Sequence, residues 1–155
     1  MKRLFNRLAA LRSLLLIARD PRRLDAVFKL RESLDDTKVL DPVLARLRAN
    51  AFCARALSER PRLGRVDLAA LGRLPEGTLG RAYADFMRAA GLDPANLPLL
   101  ESRNEYQWFA AHLYETHDIW HVATGFEPDV AGELGLQAFY LAQLEGPLPV
   151  AILSA

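Results

Sequence analysis

Cysteine is nearly missing: Cys53 is the only one in 155 residues. An intramolecular disulfide is therefore excluded, no cysteine-based zinc site can form, and a reducing compartment fits best. Lysine is almost as scarce. Lys2, Lys29 and Lys38 are the only lysines among 20 basic residues, a compositional habit without mechanistic meaning. Glycine and proline, at nine each, are too few for a collagen-like or proline-rich chain. Runs of alternating β-branched residues are absent, and so is any internal repeat. Long apolar runs are absent too. The best, from Leu134 to Ala155, is broken by Glu145, Pro147 and Pro149, so no transmembrane helix is expected. Arg12 interrupts the N-terminal apolar run, and no small-residue cleavage site follows it. That argues against a signal peptide, while an arginine-rich amphipathic start is compatible with a mitochondrial transit segment.

What is present reads as helix. With 51% hydrophobic and 25% charged residues, the chain has the makings of one globular core, and residues 1–155 are read as a single all-α domain. Leu4, Leu8, Leu11 and Leu15 recur at helical spacing beside Arg3, Arg7 and Arg12. Residues 1–18 thus form a basic amphipathic helix suited to an anionic membrane surface, or equally to plain packing. Asp20-Pro21 signals a second helix to about Ser33. Asp41-Pro42 signals a third to about Glu59, with Asp41 as cap. Asp67 opens a short helix through Leu74, and Thr78 opens one that stops at Gly91. Residues 92–102, with Pro94 and Pro98, read as loop. A long helix runs from about Arg103 to Thr124, ended by Gly125. After the Phe126-Glu127-Pro128 turn another runs from Asp129 to Glu145.

Charge is divided unevenly. Residues 1–75 carry 17 Lys/Arg against 8 Asp/Glu, and residues 76–155 carry 3 against 11. All three histidines lie in the acidic half. The basic half has no aromatic interleaving or docking motif, so no nucleic-acid partner is expected.

The chemistry-bearing segment is Glu115-Thr116-His117-Asp118-Ile119-Trp120-His121. His117 and His121 are four apart and point from one helix face, the arrangement that lets two imidazoles share an ion. Glu133 follows twelve residues later, and the midpoint of that interval, residue 127, lies in the turn. In an antiparallel hairpin Glu133 therefore comes level with His121, across a helix spacing of about 8–10 Å. Asp118 lies about 100° round the helix from His117. It is either a flanking ligand or a carboxylate that holds an imidazole N–H. Two imidazoles and one or two carboxylates suit zinc, with manganese, iron and cobalt as alternatives. A zinc peptidase would need Glu where Asp118 stands. An HD-type phosphohydrolase would need further upstream ligands. A di-iron bundle would need a second Glu-x-x-His spacing.

His117-Asp118-x-x-His121, eleven residues and then Glu133 resembles the signature of the Coq-four family of ubiquinone biosynthesis proteins. Leu79-Gly80-Arg81-Ala82-Tyr83-Ala84-Asp85-Phe86, the Gly91-Leu92-Asp93-Pro94 turn, Gly132-Glu133 and Gly146-Pro147-Leu148-Pro149 look like that family too. The likeness covers residues 79–155. It implies a chain cut short at its C-terminus, because the family continues with more helix. It implies a peripheral membrane protein, on the cytoplasmic face of a bacterial inner membrane or the matrix side of the mitochondrial one. It implies His117, Asp118, His121 and Glu133 as metal ligands. The implied activity is metal-dependent decarboxylation, oxidative or not, at ring position one of a polyprenylated 4-hydroxybenzoate. On chemical grounds a carboxylate such as Asp118 or Glu133 would relay the proton that the ring takes up. Implied partners are that precursor and other ubiquinone biosynthesis proteins; a homo-oligomer stays open. The alternative is a lipid-binding scaffold with a structural metal.

A polyprenyl tail would need an apolar groove, for which Leu134, Phe139, Leu141 and Val150 are candidates. Other residues read more plainly. His112 is expected as a surface or capping histidine, Trp108, Trp120 and Tyr114 in the core, and Cys53 as an inert buried thiol. Arg103 reads as a helix-start residue or a partner for a substrate carboxylate.

Overall fold

The computed structural model describes residues 40–96 and 98–145. The expected helices at 1–18 and 20–33 and the apolar stretch 147–155 lie outside them. Among the described residues the fold is all-helical, as expected. Six α-helices occur: α1 (Asp41–Ala49), α2 (Ala51–Glu59), α3 (Leu68–Leu71), α4 (Leu79–Ala89), α5 (Glu105–Thr124) and α6 (Val130–Leu144), with a 3₁₀ turn at Pro94–Asn96.

Caps set most of the boundaries. The side chains of Asp67, Thr78, Asn104 and Asp129 accept hydrogen bonds from Ala70, Arg81, Gln107 and Gly132 backbone N–H groups, and each opens its helix. Gly125, at φ 75°, closes α5 by donating to the His121 carbonyl at 2.9 Å.

Three expectations need correction. The helix expected from Asp41 to Glu59 is two, because Asn50 turns extended (φ −96°, ψ 122°) and caps Phe52 and Cys53 N–H with its own side chain. A short amide that bonds to nearby backbone competes with helix continuation. Leu40, not Asp41, is the cap residue of α1; the Asp41 carboxylate instead accepts the Tyr106 hydroxyl. The helix after Asp67 ends at Leu71, three residues early.

Long helix α5 is the spine. The α1–α2 pair packs on it through α2, α4 lies along it, and α6 folds back against it. Val43, Leu44, Leu57, Trp108 and Phe109 form a buried cluster near its start, and Trp108 Nε1 donates to the Pro61 carbonyl at 2.9 Å. Farther along, α4 turns Tyr83, Ala84 and Met87 inward, and α6 turns Gly132, Leu136 and Tyr140 inward. Both sets are spaced by helical turns, and burial of one apolar stripe is what holds such helices in place. Arg62 joins the segment after α2 to Glu115 on α5 through a bidentate ion pair, and also donates to the Leu100 carbonyl.

Candidate metal centre

The hairpin register is as the spacing implied. On α5, one turn separates His117 from His121, and their Nε2 atoms lie 3.3 Å apart. Glu133, in the first turn of α6, sets one carboxylate oxygen 3.3 Å from His121 Nε2 and the other 3.4 Å from His117 Nε2. His117, His121 and Glu133 each offer a ligand atom, all within 4.8 Å of one another.

His121 is locked. It is 2% exposed, its ring is stacked 5.9 Å from Phe86, and its Nδ1 lies 2.9 Å from the Phe126 carbonyl oxygen. A carbonyl only accepts, so Nδ1 carries the proton, and neutral His121 turns its Nε2 lone pair towards Glu133. A carboxylate also only accepts. Two acceptors at 3.3 Å call for a cation between them, either a proton or a metal ion. The separation of the two imidazole nitrogens matches that of a tetrahedral ion with bonds of about 2.0–2.2 Å, whose ligands stand about 3.3–3.6 Å apart, while Glu133 divides its two oxygens between the imidazoles. The donor set therefore fits a borderline divalent metal.

The electrostatics describe the case in which that cation is a proton carried by the imidazoles. Burial by itself would raise the Glu133 pKa, but hydrogen bonds and charge from His117 and His121 pull it down to about 2. Burial disfavours charge on His121, yet Glu133 and the Phe126 carbonyl outweigh it and raise its pKa. The side chains of His117 and Glu133 remain 30% and 27% exposed, so the cluster is open on that side.

Asp118 lies outside the cluster. It is half-buried, and its pKa is raised, by burial first, with Glu133 adding to that against the imidazoles. Its charge also reaches the phenols of Tyr83, Tyr114 and Tyr140, which come from three different helices. Burial and that charge push the Tyr83 phenol up to about 12.

The family model for "Coenzyme Q (ubiquinone) biosynthesis protein Coq4" matches residues 2–155. The chain belongs to the Coq4 family. It is 30% identical over 135 residues to the Caenorhabditis elegans mitochondrial ubiquinone biosynthesis protein coq-4, covering 84% of this chain and 58% of that one. It is 32% identical over 158 residues to the Laccaria bicolor COQ4, also named mitochondrial, covering 97% and 51%. A crystal structure of a Nostoc punctiforme protein named for ubiquinone biosynthesis superposes with a TM-score of 0.76 at 32% identity, covering 96% of this chain and 70% of that one. The chain thus spans about half the length of the curated Coq4 relatives it matches.

Several features of this Coq4 site were not read from the sequence. The Phe126 carbonyl that orients His121 is a backbone atom, without a sequence signature of its own. Gly132 did carry a signal: a Cβ there would stand 1.8 Å from the Glu127 carbonyl oxygen, so only glycine lets the turn lie against α6 beside Glu133. Tyr140 was missed altogether. It is buried, its ring centroid is 6.3 Å from that of His117, and its hydroxyl has no hydrogen-bond partner among the described residues. Such a buried hydroxyl costs roughly 1–3 kcal/mol.

The plainer expectations fared unevenly. Trp108 is in the core, but Trp120 is 37% exposed and rests on Phe139 at 5.3 Å. His112 is half-buried, stacked 5.0 Å from Trp108 one turn earlier on α5, and not at the surface. Cys53 is partly exposed rather than buried. Arg103 pairs with Glu101 at 2.8 Å. Of the suggested groove residues, Leu134 is 43% exposed and Val150 lies outside the described residues. A different groove, lined by Leu63, Val66, Tyr83, Pro98 and Tyr114 among others, lies against the phenols that face Asp118.

Proposed function

We propose that this chain acts in ubiquinone biosynthesis as a metal-dependent decarboxylase of a polyprenylated 4-hydroxybenzoate. The observation that carries the reading is the convergence of His117, His121 and Glu133 on one point, within a chain of the Coq4 family. His117, His121 and Glu133 would hold the ion, most suitably zinc, with manganese, iron and cobalt as the other borderline choices. A bound ion of this kind supplies Lewis acidity for a phenolate or carboxylate oxygen.

The chain's own residues supply the rest. His121 and Phe126 fix the imidazole tautomer. Glu133, exposed on one side, leaves room for a ligand, unlike the closed cysteine-rich sites that serve structure alone. Loss of carbon dioxide breaks the ring–carboxyl bond and leaves an electron pair on the ring carbon, which must take a proton. Asp118, beside the cluster and not within it, is suited to deliver that proton from its carboxyl oxygen. No helix among the described residues is long and apolar enough to cross a membrane, which accords with peripheral attachment for a lipid-tailed substrate. The location follows the same reading: the cytoplasmic face of a bacterial inner membrane, or the matrix side of the mitochondrial one.

Carbon dioxide release from a prenylated 4-hydroxybenzoate, with zinc-loaded protein, tests the reading. Asp118→Asn should keep its metal and lose turnover by about 100-fold or more. Glu133→Gln should fold, bind metal weakly and lose turnover as well. Full turnover by either variant would leave a scaffold with a structural ion as the better account.

A further inference from the structure

We infer that the Tyr140 hydroxyl is the hydrogen-bond donor that this site presents to an anionic oxygen of its ligand. The inference rests on the metal-site reading above.

The cluster is rich in acceptors. His121 spends its N–H on the Phe126 carbonyl, and Glu133 offers carboxylate lone pairs. An anionic ligand oxygen arriving there is drawn by a cation and repelled by its surroundings. A donor from the protein wall removes that conflict. Tyr140 is placed to be one. It follows Glu133 by seven residues, so the two share a face of α6 two turns apart. Its ring stands 6.3 Å from the His117 ring, tilted by 35°, and Tyr140 is only 9% exposed. Its hydroxyl nevertheless bonds to nothing among the described residues. Buried hydroxyls are nearly always paired, and an unpaired one calls for a reason, of which a role in the site's chemistry is one. A neutral phenol can donate one bond and keeps its shape while doing so. For an aryl acid the receiving atom is a carboxylate or a phenolate oxygen.

The test compares wild type with Tyr140→Phe as full chains. Zinc content per chain is measured first, then the affinities of the zinc-loaded proteins for 4-hydroxybenzoate, benzoate and phenol by calorimetric titration, then melting temperature. The expected result is equal zinc in both proteins and 4-hydroxybenzoate held about 10- to 100-fold more weakly by the variant. Melting should be unchanged or higher, because the oxygen removed had no partner. Weakening that is confined to benzoate assigns the carboxylate as receiver; weakening confined to phenol assigns the phenolate. Equal affinities for all three probes, or a wild type that binds none of them, would overturn the inference and leave the metal reading intact. A variant that melts several degrees lower would also overturn it, since the hydroxyl would then serve the fold. A wild type that takes up no zinc would overturn the metal reading, and this inference with it.

Discussion

His121 Nδ1 sits 2.9 Å from the carbonyl oxygen of Phe126, the residue that begins the turn between α5 and α6. One backbone oxygen thereby ties the turn to the tautomer of the most buried group in the site. The relationship makes the hairpin loop part of the candidate site, because moving the turn would release the ring.

Metal uptake should follow from that arrangement. One divalent ion per chain is expected by elemental analysis after equilibration with zinc. His117→Ala and His121→Ala should each reduce it to a small fraction. A ligand at 100 times its dissociation constant stabilises by about 2.7 kcal/mol. At this chain size that corresponds to a fall of about 5–10 °C in melting temperature on chelation. Identical melting with and without chelator would count against the site.

Gly132 and Gly135 should separate sharply. A Cβ at Gly132 meets backbone, the Glu127 carbonyl oxygen at 1.8 Å. A Cβ at Gly135 meets the Phe126 ring at 2.7 Å, and a side chain yields more readily than backbone. Gly132→Ala should cost about 1–3 kcal/mol and lower zinc affinity by shifting the turn that orients His121. Gly135→Ala should cost less in both measures. Denaturant melts and zinc titrations of the pair would decide, with equal effects speaking against the backbone clash as cause.

The Arg62–Glu115 pair should shape acid stability. The Glu115 side chain is 7% exposed, and that of Arg62 27%. Burial by itself raises the Glu115 pKa, but Arg62 and the Leu63 N–H outweigh it and leave it lowered. A depressed carboxyl stabilises the fold above its unfolded value and loses that contribution as pH falls through the folded one. Wild type should therefore lose stability on acidification below the ordinary carboxylate range. Glu115→Gln should be less stable at neutral pH, by on the order of 3 kcal/mol, and should flatten that slope. Parallel pH profiles for the two proteins would show that the pair contributes nothing to it.

Membrane binding is a separate expectation, taken from the sequence of residues 1–18 alone. The Leu4, Leu8, Leu11 and Leu15 stripe beside Arg3, Arg7 and Arg12 should give flotation with vesicles that contain anionic lipid. Deletion of residues 1–18 should abolish it. Flotation that persists after the deletion, or that ignores lipid charge, would favour the packed-helix reading of that segment.

Local chemistry was enough to read much of this protein. Asp67, Thr78 and Asp129 announce their helices by capping, and Gly125 ends α5 because glycine alone takes a left-handed φ without penalty. The four-residue step from His117 to His121, and a turn centred on residue 127, were enough to bring Glu133 level with the imidazoles. All of these depend on helix geometry, which repeats along the chain whatever packs around it. Packing decided the rest. Asn50 splits a helix because its side chain finds closer backbone donors. Asp118 is adjacent to His117 in sequence, yet it turns about 100° away, so its carboxylate is not in the His117, His121 and Glu133 group although its charge reaches all three residues. The Phe126 carbonyl and the Tyr140 hydroxyl matter only because α6 lies against α5 at one particular rotation. A periodic pattern specifies which residues share a face, whereas only the assembled helices determine what that face meets.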